Sequence, residues 1–97
     1  MVHDVTLSLR LVKNLVAKGT MKAPDGYLPC TRSALIKVQR RTGSGWKVIK
    51  TVYTNNLGDY RAKVPNEPGR YRAVSPQGSV DDLNLCSATK SPVRRAR

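Results

Sequence analysis

The chain has little of what an enzyme site or a membrane segment requires. Its 97 residues include no Phe, one His, one Trp and only six acidic residues, among which Glu67 is the single Glu. No apolar run approaches the ~18–20 residues of a membrane-spanning helix. Neither a nucleophile elbow nor a phosphate-binding loop occurs, and Ser44 lies in a Gly-Ser-Gly turn. We therefore predict no catalysis, no cofactor and no membrane span.

Metal-binding residues are equally sparse. A structural zinc site takes four ligands, and His3 is the only histidine that is available to join two cysteines. The carboxylates of Asp25, Asp59 and the pair 81–82 do not follow the spacing of a calcium-binding loop. His3 also stands near a terminus that we expect to be frayed, so it would serve poorly as a base for a cysteine nucleophile. We predict no metal site.

The two cysteines, Cys30 and Cys86, lie 56 positions apart, and they are either two buried thiols or one disulfide. A domain of this size buries only roughly 60–65% of its unfolded surface, so its core is thin. An even cysteine count in such a domain favours a disulfide and an oxidising compartment. Residues 1–10 have neither the apolar core nor the cleavage site of a signal peptide. An exported form would therefore have lost its signal, and Met1 would be foreign to it.

Short alternating segments separated by turns dominate the chain. Period-two alternation begins at Val5, where a helix over residues 5–17 is the competing interpretation, and it continues after a turn at Lys13-Asn14. A turn signal occurs at 24–26, and from residue 43 turn signals recur every 8 to 12 residues, at 43–45, 55–58 and 65–69. This pattern predicts an all-β fold, an antiparallel Greek-key β-sandwich of about seven strands, immunoglobulin-like or prealbumin-like, with one disulfide. Residues 1–92 would form this single domain.

The alternation also predicts which side chains face the core. Ala34, Ile36 and Val38 are expected to point inward, and so are Tyr60, Ala62 and Val64 in one later strand and Tyr71 and Ala73 in another. In the strand over 46–53, Trp46, Val48 and Val52 would share one face and Ile49 the other. Both faces of that strand carry apolar residues, so its inward side stays open.

Two resemblances follow from the later turns. The segment 64–71, Val-Pro-Asn-Glu-Pro-Gly-Arg-Tyr, resembles the tyrosine corner of Greek-key sandwiches, which implies a structural role for Tyr71. The chain departs from the antibody pattern, because Ala73 stands where the second core Cys would fall.

A broader likeness is carried by residues 38–41, 45–47, 58–60 and 68–73, together with Cys30, Val52, Thr54 and the segment 86–92. Over residues 26–92 the chain resembles extracellular β-sandwich domains of actinobacterial secreted and wall-associated proteins, which are similar to carboxypeptidase-regulatory and prealbumin-like domains. The resemblance implies export, a structural disulfide and no catalysis.

Charge supplies the main functional clue, since 18 Lys and Arg against six acids give a net charge of +12. If the third and sixth strands share a sheet, Lys37, Arg41, Arg70 and Arg72 lie together as a possible anion-binding face. The competing interpretation is a solvated surface that protects strand edges. Residues 93–97 form a basic tail that we expect to be an ordinary solvated terminus.

Three functions remain open. The first is a non-catalytic extracellular structural or surface-interaction domain whose partner is an anionic polymer or an acidic protein. The second is a nucleic-acid-binding β-domain, which the paired cysteines and the few aromatics near the basic strands disfavour. The third is an accessory carbohydrate-binding module, which would expose Trp46, Tyr53 or Tyr27 for stacking on sugars.

Overall fold

The fold is all-β, and a computed structural model describes residues 1–12, 16–64 and 67–96. The predicted turn at Lys13-Asn14, the first two residues of the 65–69 corner and Arg97 lie outside these ranges. Twelve strands and one short 3-10 helix, Leu28–Cys30, occur in the described residues. The strands are β1 (Val2–His3), β2 (Thr6–Leu7), β3 (Arg10–Val12), β4 (Val16–Lys22), β5 (Leu35–Thr42), β6 (Gly45–Tyr53), β7 (Asp59–Lys63), β8 (Gly69–Ser75), β9 (Gly78–Ser79), β10 (Leu85–Cys86), β11 (Thr89–Lys90) and β12 (Arg94–Ala96).

Strand pairing produces two larger sheets and one small one. In the first large sheet β6, β5 and β8 lie side by side, and β11 and β12 pair with β8. In the second, β4 is the centre and pairs with β2, β3 and β7. The small sheet has the order β1, β10, β9, and its β1–β10 pair is parallel. All other pairs among the described strands are antiparallel.

The core follows the predicted alternation. Ile36, Val38, Tyr71 and Ala73 of the first large sheet are fully buried, and they belong to one cluster with residues of the second sheet. The second sheet contributes Leu7, Ala17, Met21, Tyr60 and Ala62, and Val5, Leu9 and Val64 flank its strands. The core strands β4, β5, β7 and β8 therefore form where the period-two pattern predicted them, and the described residues of the segment 5–17 form strands and no helix.

A β-bulge resolves the ambiguous strand. Val38 lies opposite Lys50 but Gln39 lies opposite Val48, so Ile49 is an extra residue in β6. An extra residue reverses the side-chain alternation beyond it. Ile49 and Val52 consequently both pack against the core, whereas Val48 is exposed. The expectation that Val48 and Val52 share a face is therefore wrong.

The N-terminus is ordered, against our expectation that it is frayed. His3 is buried, its ring stacks on Tyr27 with centroids 3.7 Å apart, and its strand β1 pairs with β10. The His3 ring nitrogens contact Asp25 Oδ2 at 2.7 Å and Asn84 Oδ1 at 2.8 Å. These two hydrogen bonds raise the pKa of His3, that of Asn84 contributing most. The same contact with His3 lowers the pKa of Asp25.

The predicted disulfide is present, with Cys30 and Cys86 joined at an S–S distance of 2.05 Å. It connects the 3-10 helix to β10, beside His3, which is the register partner of Cys86. The bridge therefore fastens the small sheet to the loop before β5.

The C-terminal segment differs from the sequence prediction. Instead of a solvated tail, Arg94–Ala96 pair with 69–71 of β8, and Thr89-Lys90 pair with Ser75 and Val74. Between these strands, Ser91 Oγ accepts a hydrogen bond from the Ala73 backbone N–H at 2.8 Å. An edge strand is held by backbone hydrogen bonds, which need no alternating pattern in the sequence. Among the described residues, no helix has the length and apolar character needed to cross a membrane.

Candidate anion-binding face

Basic residues are concentrated on the strands of the first large sheet. Its five strands carry ten of the chain's 18 Lys and Arg and none of its six acids. The ten are Lys37, Arg40, Arg41, Lys47, Lys50, Arg70, Arg72, Lys90, Arg94 and Arg95. This sheet is therefore the strongest candidate for contact with an anion.

The register places most of these cations on the side of the sheet that faces away from the core. Since Ile36, Val38, Tyr71 and Ala73 are buried, the residues between them point outward. Strand pairing then places these outward residues beside one another. Between β5 and β8, Gln39 lies opposite Arg72 and Lys37 lies opposite Val74. At the flanking strands, Arg41 lies opposite Trp46, Arg70 opposite Arg95, and Val74 opposite Lys90. We call this set the basic face: Lys37, Gln39, Arg41, Arg70, Arg72, Lys90 and Arg95, with Trp46.

Arg72 is held in place at the centre of the basic face. Its Nε donates a hydrogen bond of 2.7 Å to Gln39 Oε1, and its guanidinium carbon lies 4.3 Å from the ring centroid of Trp46. Arg41 approaches the same ring less closely, at 5.9 Å. A guanidinium stacked on an aromatic ring and fixed at Nε keeps its two terminal nitrogens free to fork onto an oxyanion.

The four basic residues singled out from the sequence therefore lie on one side of one sheet. Arg40, their sequence neighbour, has a different role: its guanidinium donates 2.8 Å and 3.3 Å hydrogen bonds to the Pro68 carbonyl and lies 3.4 Å from Glu67. In the described part of the chain, no carboxylate lies within 4.0 Å of any other Lys or Arg. The charge of the basic face is thus not neutralised by close ion pairs.

A shallow depression marks one end of the basic face. It has a volume of about 600 Å³ and is lined by Lys37, Gln39, Arg72, Val74 and Lys90, among others. The depression thus combines three cations (Lys37, Arg72 and Lys90) and the amide of Gln39 with the apolar side chain of Val74. Such a surface suits an anionic group that is attached to a less polar backbone.

Tyr71 supports this sheet from its inner side. It is fully buried, and its hydroxyl donates a 2.6 Å hydrogen bond to the Glu67 carbonyl, four residues upstream. This is the contact that the tyrosine-corner prediction requires. Burial raises the pKa of the Tyr71 hydroxyl, so it remains a neutral donor.

The aromatic residues considered for sugar stacking are in three different settings. Tyr27 is stacked on His3, Trp46 is partly covered by Arg72, and Tyr53 is 66% exposed at the end of β6. One face of the Trp46 ring is therefore already occupied. His3 is likewise engaged at both ring nitrogens, by Asp25 and Asn84.

No family model matches the chain, and comparisons with curated proteins and with solved structures gave no match. The resemblance to actinobacterial secreted sandwiches therefore stays a prediction.

Sequence reasoning missed three members of the basic face. Lys90 and Arg95 belong to it because the C-terminal segment pairs along β8. The residues of that segment show no alternating pattern from which this pairing could be predicted. Trp46 was considered only as part of the strand over 46–53 and as a candidate for stacking on sugars, and its contact with Arg72 was not foreseen. The hairpin at Gly43-Ser44 was foreseen, and it brings β6 beside β5.

Proposed function

We propose that the chain is a non-catalytic module that binds an anionic polymer through the basic face, and that it belongs to a secreted or cell-surface protein. We further propose that its two larger sheets form a Greek-key β-sandwich. The observation that carries the binding proposal is the alignment of six cations on one side of a sheet whose strands carry no acid. The disulfide supports an oxidising compartment.

The spread of the cations favours a polymer over a single small ion. Lys37 and Arg41 are four residues apart on β5, which is about 14 Å along the strand. From Lys90 to the β6 strand the face crosses three strand spacings, which is also about 14 Å. Charges distributed over such an area match a ligand that repeats its negative charge.

Nucleic acid is also an anionic polymer, but the basic face has too few aromatic residues for a surface specialised in binding nucleic acid. Proteins that bind single strands stack successive bases on several aromatic side chains. The basic face has one aromatic, Trp46, and Arg72 already covers part of its ring. A polymer of sulfates, phosphates or carboxylates needs no such platform.

The experiment compares two double variants that lose the same charge. Lys37→Gln/Arg72→Gln removes two cations of the basic face, and Lys22→Gln/Lys63→Gln removes two exposed cations of the second large sheet. Binding is followed through Trp46, the only Trp in the chain, with heparin, polyglutamate and a single-stranded oligonucleotide as probes.

We expect the first variant to bind heparin or polyglutamate at least tenfold more weakly than the parent, because charged hydrogen bonds contribute about 1.5–3 kcal/mol each. The second should bind within about threefold of the parent, because its cations act only through a screened field. Equal losses in both variants would refute a localised face. Binding of the oligonucleotide alone would favour the nucleic-acid alternative.

A further inference from the structure

The second large sheet carries a separate alignment of like charges. Arg10 of β3 lies opposite Lys18 of β4, and Lys18 lies opposite Arg61 of β7. Directly opposed residues place their Cβ atoms about 5 Å apart on the same side of a sheet. Three cations therefore stand side by side across three adjacent strands, and we call them the cation row.

The cation row points away from the core. Its neighbours along the strands, Ala17 and Ala62, are buried in the hydrophobic cluster, whereas Arg10 and Arg61 are exposed and Lys18 is partly exposed. Since side chains alternate along a strand, the three cations share the outer side. The row is thus accessible to a ligand in solution.

Nearby carboxylates do not neutralise the cation row. In the described residues, none of its three members has a carboxylate within 4.0 Å. Asp59, two residues before Arg61, accepts a 2.7 Å hydrogen bond from the Thr20 hydroxyl. Like charges directly opposite one another destabilise a sheet, so the row has a repulsion that a bound anion would relieve.

A fourth cation is fixed beside the row. Arg94 Nε donates a 3.0 Å hydrogen bond to the Leu9 carbonyl, which places its guanidinium next to β3. Arg94 and the cation row line one open cleft of about 1030 Å³. Ser8, Thr20 and the Asp59 carboxylate also line it, and so does Arg95 of the basic face. Five cations and one carboxylate therefore line this concave surface, and the carboxylate already accepts a hydrogen bond from Thr20.

We propose that the cation row is a binding site for a compact, multiply charged oxyanion, such as a phosphate or diphosphate group. Within one row, three cations span only two strand spacings, about 10 Å, which suits one or two linked oxyanion groups. The site lies on a different sheet from Trp46, and the proposal does not rest on the proposed function.

The test is an NMR titration of the ¹⁵N-labelled chain with inorganic pyrophosphate at constant ionic strength, with sulfate and phosphate as further arms. We expect saturable shifts of the amides around Lys18, and a loss of affinity of about tenfold or more in Lys18→Gln. Lys63→Gln is the matched control, because Lys63 is exposed on the same strand as Arg61 but lies opposite Val16. It should change the affinity less than threefold.

A second variant and a stability measurement guard against trivial loss of the fold. Arg61→Gln should weaken binding as Lys18→Gln does, and pyrophosphate should raise the melting temperature of the parent more than that of either variant. Trp46 fluorescence should not respond, which separates this site from the basic face. Non-saturable shifts, or equal weakening by Lys63→Gln, would overturn the proposal.

Discussion

Removing the disulfide tests how the small sheet is attached to the rest of the protein. The bridge between Cys30 and Cys86 closes a loop with a sequence separation of 56. In the chain-entropy model, a loop of this length stabilises the folded state by about 4 kcal/mol. A domain of this size has a total stability of about 5–15 kcal/mol, so the bridge contributes a large fraction. The double variant Cys30→Ala/Cys86→Ala should therefore melt about 15–30 °C below the parent.

The loss should also be unevenly distributed. The small sheet is held by few backbone hydrogen bonds, such as Leu85 N–H to the Met1 carbonyl at 2.8 Å and Ser87 N–H to the His3 carbonyl at 3.0 Å. We expect these amides to lose hydrogen-exchange protection in the double variant before those of the core strand β5 do. The assay combines chemical denaturation with native-state exchange at a fixed pH. A variant within about 1 kcal/mol of the parent, or a uniform loss of protection, would refute this reasoning.

Two further predictions concern a close backbone approach and pH. Gly19→Ala should destabilise the fold by about 1–3 kcal/mol or more, because its Cβ would lie 2.1 Å from the Ser8 carbonyl oxygen and 2.6 Å from the Tyr60 hydroxyl. Gly78→Ala is the control, because a Cβ at position 78 would have no atom within 4 Å. In the same denaturation assay its stability should be close to that of the parent. Because the pKa of His3 is raised above 6.5, its contribution to stability is complete below pH 6.5 and is lost as pH rises through the folded-state pKa. Melting temperatures between pH 5 and 9 should therefore fall more steeply in the parent than in His3→Gln, and parallel curves would contradict the role assigned to the cluster.

Local patterns in the sequence were enough to predict the strands of the core. Alternation predicted Ile36 and Val38, Tyr60 and Ala62, and Tyr71 as inward residues, because each lies in a strand with one buried face. The same rule failed in β6, where the extra residue Ile49 reverses the pattern. The bulge arises in the pairing of β6 with β5, and the sequence of β6 alone does not show where an extra residue will occur.

The candidate site was predictable only in part, for a related reason. Placing the third and sixth strands in one sheet was enough to bring Lys37 and Arg72 to the same side, and β5 does pair with β8. Lys90 and Arg95 join them through the edge pairing of residues 89–96, which depends on backbone hydrogen bonds. His3 is held by Asp25 and Asn84, which are distant in the sequence, so its position near the terminus suggested a frayed end.

The most direct test of the account is to map where an anionic polymer touches the molecule. Amide shifts of the ¹⁵N-labelled chain would be followed during titration with a heparin fragment long enough to span about 14 Å. We expect the largest shifts on β5, β8, β11 and the indole N–H of Trp46, and we expect them to vanish in Lys37→Gln/Arg72→Gln. Shifts spread evenly over both large sheets, or unchanged in that variant, would contradict a dedicated basic face.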